Sequence, residues 1–175
     1  MARPIEFDRN EALETAMKLF WRQGYVATSL ANLLEAMQIG RSSFYAAFGD
    51  KRSLFIEALS LFADRTRQMF VDASEQTGST AAFRRFFYET LIDAPRYRAA
   101  RGCMMANTIL ELADVDEELS SLATNELARV EAAFRDCFAA AQSAGEYPTH
   151  LSAANLAAHM MIVNQGLRIA SRKRV

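Results

Sequence analysis

Between Asp8 and Asp50 the apolar residues recur at helical spacing in three short bursts, each closed by a glycine or a polar break, which confines this part of the chain to a corner of small packed helices. Asp8 followed by Glu11 makes a capping-box pattern with Asp in the usual Ser or Thr place, and Leu13, Ala16, Met17, Phe20 and Trp21 then repeat until Gly24. Ser29 caps a second run, Leu30, Leu33, Leu34 and Met37. A third begins after Gly40, carries Phe44, Tyr45 and Phe48, and stops at Gly49-Asp50, where Asp50 can cap a fourth helix.

From Lys51 the series Leu54, Phe55, Ala58, Leu59, Phe62, Thr66, Met69, Phe70 predicts one long helix up to the polar segment 75–80. Residues 81–93, 103–113, 117–143 and 152–172 also read as helices, separated by Ala94-Pro95, by Asp114-Val115-Asp116 and by Gly145-Glu146-Tyr147-Pro148. Strand alternation persists nowhere and no repeat is present, so an all-α fold is predicted: three short helices, one long helix, then four more, joined by short loops. The functional boundary falls near residue 50, giving a domain of residues 1–50 and a larger one of residues 51–175, with the long fourth helix serving both.

A chain of 175 residues is one large domain or a small one joined to a medium one. Its net charge of −1 lacks the basic balance of electrostatic nucleic-acid binders. Cys103 and Cys137 are too few for a disulfide framework and lie in no metal-ligand spacing, which fits a reducing compartment without structural zinc. No apolar run approaches the ~20 residues of a membrane span, and residues 1–8 lack the apolar stretch of a secretory leader. A soluble cytoplasmic protein is expected, with no cofactor and no membrane partner.

Residues 28–51 have the parts of a helix-turn-helix. A recognition helix needs apolar anchors on one side, and hydroxyls or cations for phosphate and base edges on the other. Leu33, Leu34, Ile39, Phe44 and Phe48 are the anchors, packing on Phe20 and Trp21, while Arg41, Ser42, Ser43 and Tyr45 face a groove. Lys51 adds a cation at the start of the fourth helix, whose N-terminal N–H groups are aimed at a phosphate. An ordinary helical corner with a solvated polar face is the plainer alternative. Residues 1–51 hold Arg3, Arg9, Lys18, Arg22, Arg41 and Lys51 against Glu6, Asp8, Glu11, Glu14, Glu35 and Asp50, but most of these acids lie on the first helix.

This segment resembles the N-terminal domain of the TetR family of bacterial transcriptional regulators. The elements that carry the resemblance are Phe20-Trp21-Arg22-Gln23-Gly24-Tyr25, Ala27-Thr28-Ser29-Leu30, Ser43-Phe44-Tyr45, Phe48, Lys51 and Leu54. The resemblance implies a DNA-binding domain, a helical domain that binds a ligand and dimerises, and release of DNA on ligand binding. It makes Thr28, Tyr45 and Lys51 phosphate contacts and places Arg41, Ser42 and Ser43 at the positions that touch bases and backbone. Arg41 in bidentate contact with guanine would add ~1–3 kcal/mol of discrimination. Two positions depart from the pattern: Gln38 stands where the turn commonly has Gly, with Gly40 available to relieve it, and Ala47 stands where His is often found. Arg3 is either a minor-groove arm or a solvated terminus.

Beyond residue 51 the chain is rich in Phe and Met, most of them core at helical spacing. Phe62, Phe70, Tyr88, Asn107, His159 and Asn164 are the candidate contacts for an unknown small apolar inducer, the polar ones being otherwise satisfied interior or interface groups. Cys103 opens a helix beside Arg98 and Arg101, where N–H groups and cations favour thiolate; several TetR-like repressors that respond to electrophiles or oxidants look similar here. The plainer reading is a small buried residue, as Cys137 is expected to be. The two C-terminal helices, Ala-rich with Ala154, Ala157 and Ala158, would form the homodimer interface of a TetR-like protein. Arg168 to Arg174 read as a solvated helix end. No nucleophile, base and orienting group assemble into an enzyme site, and a helical adaptor for protein partners is the other rival. The expected function is a ligand-responsive DNA-binding transcriptional regulator, a repressor released from a palindromic operator of double-stranded DNA by a small apolar ligand or by modification of Cys103.

Overall fold

In a computed structural model the chain is described over residues 7–172, which leaves the Arg3 arm and residues 173–175 outside the description. The described residues form nine α-helices: α1 Arg9–Gln23, α2 Leu30–Met37, α3 Arg41–Phe48, α4 Lys51–Thr77, α5 Ser79–Phe87, α6 Arg96–Ala99, α7 Met104–Leu112, α8 Glu117–Ser143 and α9 Ala153–Ser171. No strand occurs among the described residues, and the fold is all-α. Packing divides the chain into two units, Met1–Phe62 and Ala63–Val175, so the division falls inside α4, later than residue 50.

The first unit is held by aromatic side chains arriving from separate helices. Phe20 of α1 meets Phe55 of α4 edge-on with centroids 4.9 Å apart, Tyr25 lies 4.8 Å from the same ring, and Trp21 meets Phe62 at 4.9 Å. Leu33 and Phe44 are fully buried on the inner faces of α2 and α3, and α2 packs on α1. Asp8 caps α1 by accepting from the N–H groups of Asn10 and Glu11, and Ser29 and Asn32 form a reciprocal capping box on α2.

The turn between α2 and α3 carries its strain at Gln38. This residue adopts the left-handed conformation, φ 55° and ψ 38°, and its N–H closes back onto the Glu35 and Leu34 carbonyls. Gly40 is ordinary extended backbone, φ −74° and ψ 157°, so it relieves nothing; the strain stays on Gln38.

In the second unit Phe70, Phe83, Phe86, Phe134 and Phe138 form one packed aromatic core. Phe70 sits 4.5 Å from Phe134 and 4.9 Å from Phe83, and Phe83 stacks on Phe138 at 4.6 Å. The helix expected over 81–93 is α5 continued by a π-helical segment, Tyr88–Ile92. The Thr90 hydroxyl donates to the Phe86 carbonyl at 2.7 Å and Asp93 N–H reaches back to Tyr88, which widens the turn. The short α6 after Pro95 is not legible as a helix in the sequence. Long α8 packs against both α7 and α9.

Replacing Gln38 by Gly removes a left-handed side chain that costs about 1 kcal/mol. The expected result in scanning calorimetry is an unfolding midpoint raised by ~2–4 °C; an unchanged or lower midpoint would mean that the turn is not strained.

Candidate DNA interface and thiol site

Helix α3 is amphipathic over two turns. Phe44 and Phe48 are buried at 0 % and 3 % exposure, whereas Tyr45 is 46 % exposed and Arg41 and Ser42 also lie open, with Ser43 half-buried. Positions 41, 42 and 45 share one helix face, so their side chains converge on a common surface. No acid pairs with Arg41 among the described residues.

Four acids of this unit are engaged elsewhere, which weakens the objection that net charge raised, although Glu35 on α2 is exposed. Asp8 and Asp50 serve as helix caps, Glu14 pairs with Lys18 at 2.9 Å, and Glu57 holds Arg9 at 2.8 Å. Arg9 is a residue that sequence reasoning missed. Its guanidinium donates to the Ala47 carbonyl at 3.1 Å and 3.3 Å and lies 4.6 Å from the centre of the Phe48 ring, clamping the C-terminus of α3 between α1 and α4. A signal existed: a cation in the first turn of α1 opposes that helix's dipole, so another contact had to compensate. The acceptor is a carbonyl at the end of α3, where a cation is favoured.

Two expectations are corrected. Thr28 is fully buried, and its hydroxyl donates to the Gly24 carbonyl at 2.6 Å, so it shapes the entry to α2 and presents no hydroxyl to a phosphate; Ser29 is the exposed neighbour. The start of α4 is not an open set of N–H groups either. The Asp50 carboxylate accepts from Ser53 N–H at 2.7 Å, and hydrogen bonds from Ser53 and Arg52 hold its carboxyl below the usual range. What remains for a phosphate is the Lys51 ammonium, 4.4 Å from the centre of the Tyr25 ring.

The candidate inducer contacts are not gathered in one pocket. Phe70 is 1 % exposed in the aromatic core and also lines a groove between α4 and α8; Phe62 belongs to the first unit, against Trp21. Tyr88 is exposed on the π segment with Arg84 5.7 Å from its ring, and His159 is exposed on α9. That open groove, of about 520 Å³, is lined by Arg67, Phe70, Val71, Ser74, Arg129 and Cys137 among others, and Phe70 alone of the predicted inducer contacts lies on it.

Two of the predicted residues, Cys103 and Asn107, lie together at the start of α7, while Asn164 is bonded within α9. Cys103 is the N-cap residue of α7, buried at 5 % exposure, and its side chain makes no capping hydrogen bond. Asn107 donates to the Arg101 carbonyl at 2.9 Å and accepts from Arg172 at 3.1 Å. Asn164 is buried and accepts from Arg168 Nε at 3.2 Å. Arg168, which the sequence places in a solvated helix end, is instead buried, because it continues the inward repeat of Ala157, Met161 and Asn164 on α9. Cys137 is buried as expected, its thiol donating to the Ser79 carbonyl at 3.3 Å.

Comparison with known proteins agrees with this architecture on both sides of α4. Residues 12–58 match the N-terminal domain of the bacterial regulatory proteins of the tetR family, and residues 81–173 match a tetracyclin repressor-like C-terminal domain. The chain belongs to the TetR family. It is 31 % identical over 176 residues to the HTH-type transcriptional repressor ComR of Escherichia coli, covering 98 % of this chain and 82 % of that one. The fold is similar to that of a TetR-family regulator from Cytophaga hutchinsonii, with TM-score 0.84 at 18 % identity over 94 % of this chain and 83 % of that one. It is also similar to a cysteine mutant of the TetR-family regulator CifR complexed with 26-base-pair operator DNA, with TM-score 0.74 at 30 % identity over 99 % and 91 % of the two chains. This TetR-family chain is therefore a transcriptional regulator of the DNA-binding type. None of its described helices is long and apolar enough to cross a membrane.

Lys51→Ala should lower the slope of log affinity against log salt by about 1 in DNA titrations. Thr28→Val should leave that slope unchanged while costing about 1 kcal/mol of stability from the lost hydrogen bond. The reverse pattern would restore Thr28 as a phosphate contact.

Proposed function

We propose that this TetR-family regulator is a homodimeric repressor that docks α3 of each subunit into successive major grooves of a palindromic operator and is released by a small apolar ligand or by modification of Cys103. The observation that carries the DNA reading is the face of α3: Arg41, Ser42 and Tyr45 exposed together on a helix whose other side is buried, with no acid paired to Arg41 among the described residues. Arg41 near the N-terminus of α3 is the base-reading residue, Ser42 and Ser43 support it, and Tyr45 with Lys51 fixes register through phosphates.

Dimerisation is assigned to α8 and α9. On α9, Ile162 is 71 % exposed, Ile169 56 % and Leu167 42 %, an apolar surface that a second copy would cover. Coupling between the thiol or ligand site and the DNA is assigned to α4, one continuous helix that starts at Lys51 and ends at Thr77. The repressor sign rests on the similarity to ComR, which bears that name.

Between the two release routes, the setting of Cys103 favours the thiol. It is the N-cap residue of α7 with Arg98 and Arg101 shortly before it in the chain, whereas the predicted apolar contacts do not gather in one pocket. A gel-shift titration with the DNA upstream of the chain's own gene should give a specific complex that an electrophile such as N-ethylmaleimide dissociates. Cys103→Ser should bind the same DNA and resist dissociation. Full release of the Cys103→Ser protein by the electrophile would end the thiol reading and leave the apolar-ligand route.

A further inference from the structure

Within the second unit, α4 and α8 run side by side in the same direction. Arg129 of α8 donates to Asp64 of α4 at 3.0 Å, and further along both helices the Ser74 hydroxyl donates to Cys137 Sγ at 3.6 Å. Along this seam lies the open groove of about 520 Å³, a volume in the range of small-molecule sites. Phe70 and Val71 line it from α4 and Ala132, Ala133 and Ala140 from α8, where methyl groups leave the space unfilled.

Four charged residues border the groove, and they are not equivalent: Arg67, Glu75, Arg129 and Asp136. Arg129 is spent on two carboxylates, Glu126 at 2.7 Å and Asp64 at 3.0 Å. Asp136 accepts from two nitrogens of Arg135, its neighbour in the chain, at 2.8 Å and 3.0 Å. Glu75 lies about two turns beyond Arg67 on α4 and is exposed to water. Arg67 is the exception. It is half-buried, its Nε is buried with no hydrogen-bond partner, and among the described residues no carboxylate pairs with it. A buried donor without an acceptor is costly, and the acceptor that suits Nε together with an Nη group is a carboxylate received side-on. The groove therefore offers one uncompensated guanidinium at its Arg129 end, apolar walls, and at its far end an exposed acid that disfavours a second negative charge.

We infer that this groove is a binding site for a monocarboxylate with an apolar body, the carboxylate held by the Arg67 guanidinium and the body laid between Phe70 and Val71 of α4 and the alanines of α8. The inference deepens the apolar-ligand route proposed above, on which its consequence for DNA rests, by giving that ligand a single negative charge. Because α4 forms one wall, occupancy acts on the helix that starts at Lys51.

The experiment is isothermal titration calorimetry on the full chain, with octanoate as the probe and octan-1-ol as its uncharged counterpart. Octanoate should bind at one site per chain with a Kd below about 1 mM, and the alcohol about tenfold or more weakly. Arg67→Met should weaken octanoate about tenfold or more, as loss of a charge-assisted hydrogen bond demands, and leave the alcohol unchanged. Arg67→Lys, which keeps the charge without the planar fork, should recover part of the affinity. Ala133→Leu, which fills the groove from α8 and leaves the charge in place, should abolish binding of both probes. Equal affinity for octanoate and the alcohol, or a folded Arg67→Met protein that binds octanoate as the parent does, overturns the proposal. So does the absence of octanoate binding, which is what a groove covered by a second copy of the chain would give. If Arg67→Met fails to fold, Ala133→Leu decides: full octanoate binding overturns the proposal, and lost binding with a parent that discriminates against the alcohol supports it. Operator release scored in the same samples separates the two readings, because octanoate bound in the groove while DNA stays bound keeps the site and ends the apolar-ligand route.

Discussion

An eight-residue helix does not hold itself together in water, so everything that α3 presents depends on what grips its other side. Phe44 and Phe48 supply the apolar grip, and Arg9 supplies a directional one by donating to the Ala47 carbonyl while paired with Glu57. Burying two phenylalanines contributes about 3–6 kcal/mol before entropic costs, enough to seat the helix but not to fix its rotation. The Arg9 clamp adds the missing constraint, because it ties the end of α3 to α1 and α4 through one planar guanidinium. With α3 pinned, the exposed Arg41, Ser42 and Tyr45 project from a rigid scaffold, as a site that must meet base edges within tenths of an ångström requires.

Much of this is legible in the sequence because it derives from periodicity and caps. Asp8, Ser29 and Asp50 start helices where the pattern places them, and the apolar positions of α2 and α3 turn inward as their spacing demands. Sequence alone does not reveal how each polar group is used. Thr28 stands beside the exposed Ser29 at the start of α2, and only three-dimensional packing shows its hydroxyl bonded to the Gly24 carbonyl. Asp50 reads as a cap, yet the same property occupies the N–H groups that a phosphate at the start of α4 would need. One carboxylate cannot do the first without undoing the second.

The second unit carries the same lesson with burial in place of capping. Phe70 has the spacing of a core residue and of a pocket residue alike, and it is packed on three close aromatic neighbours while also lining the groove between α4 and α8. Arg168 belongs to a basic run at the end of the chain, which suggests solvent, but its register with Ala157, Met161 and Asn164 draws it inward. Helical register outweighs local charge there.

The central claim is that the N-terminal face of α3 reads DNA. Selection of bound sequences from a random double-stranded pool, run in parallel on the parent protein and Arg41→Ala, tests it most directly. The parent protein should enrich an inverted repeat with a guanine at the same position in both half-sites, and Arg41→Ala should lose the preference at that position while keeping the spacing of the half-sites. Failure to enrich any inverted repeat, or an unchanged guanine preference in Arg41→Ala, would contradict it.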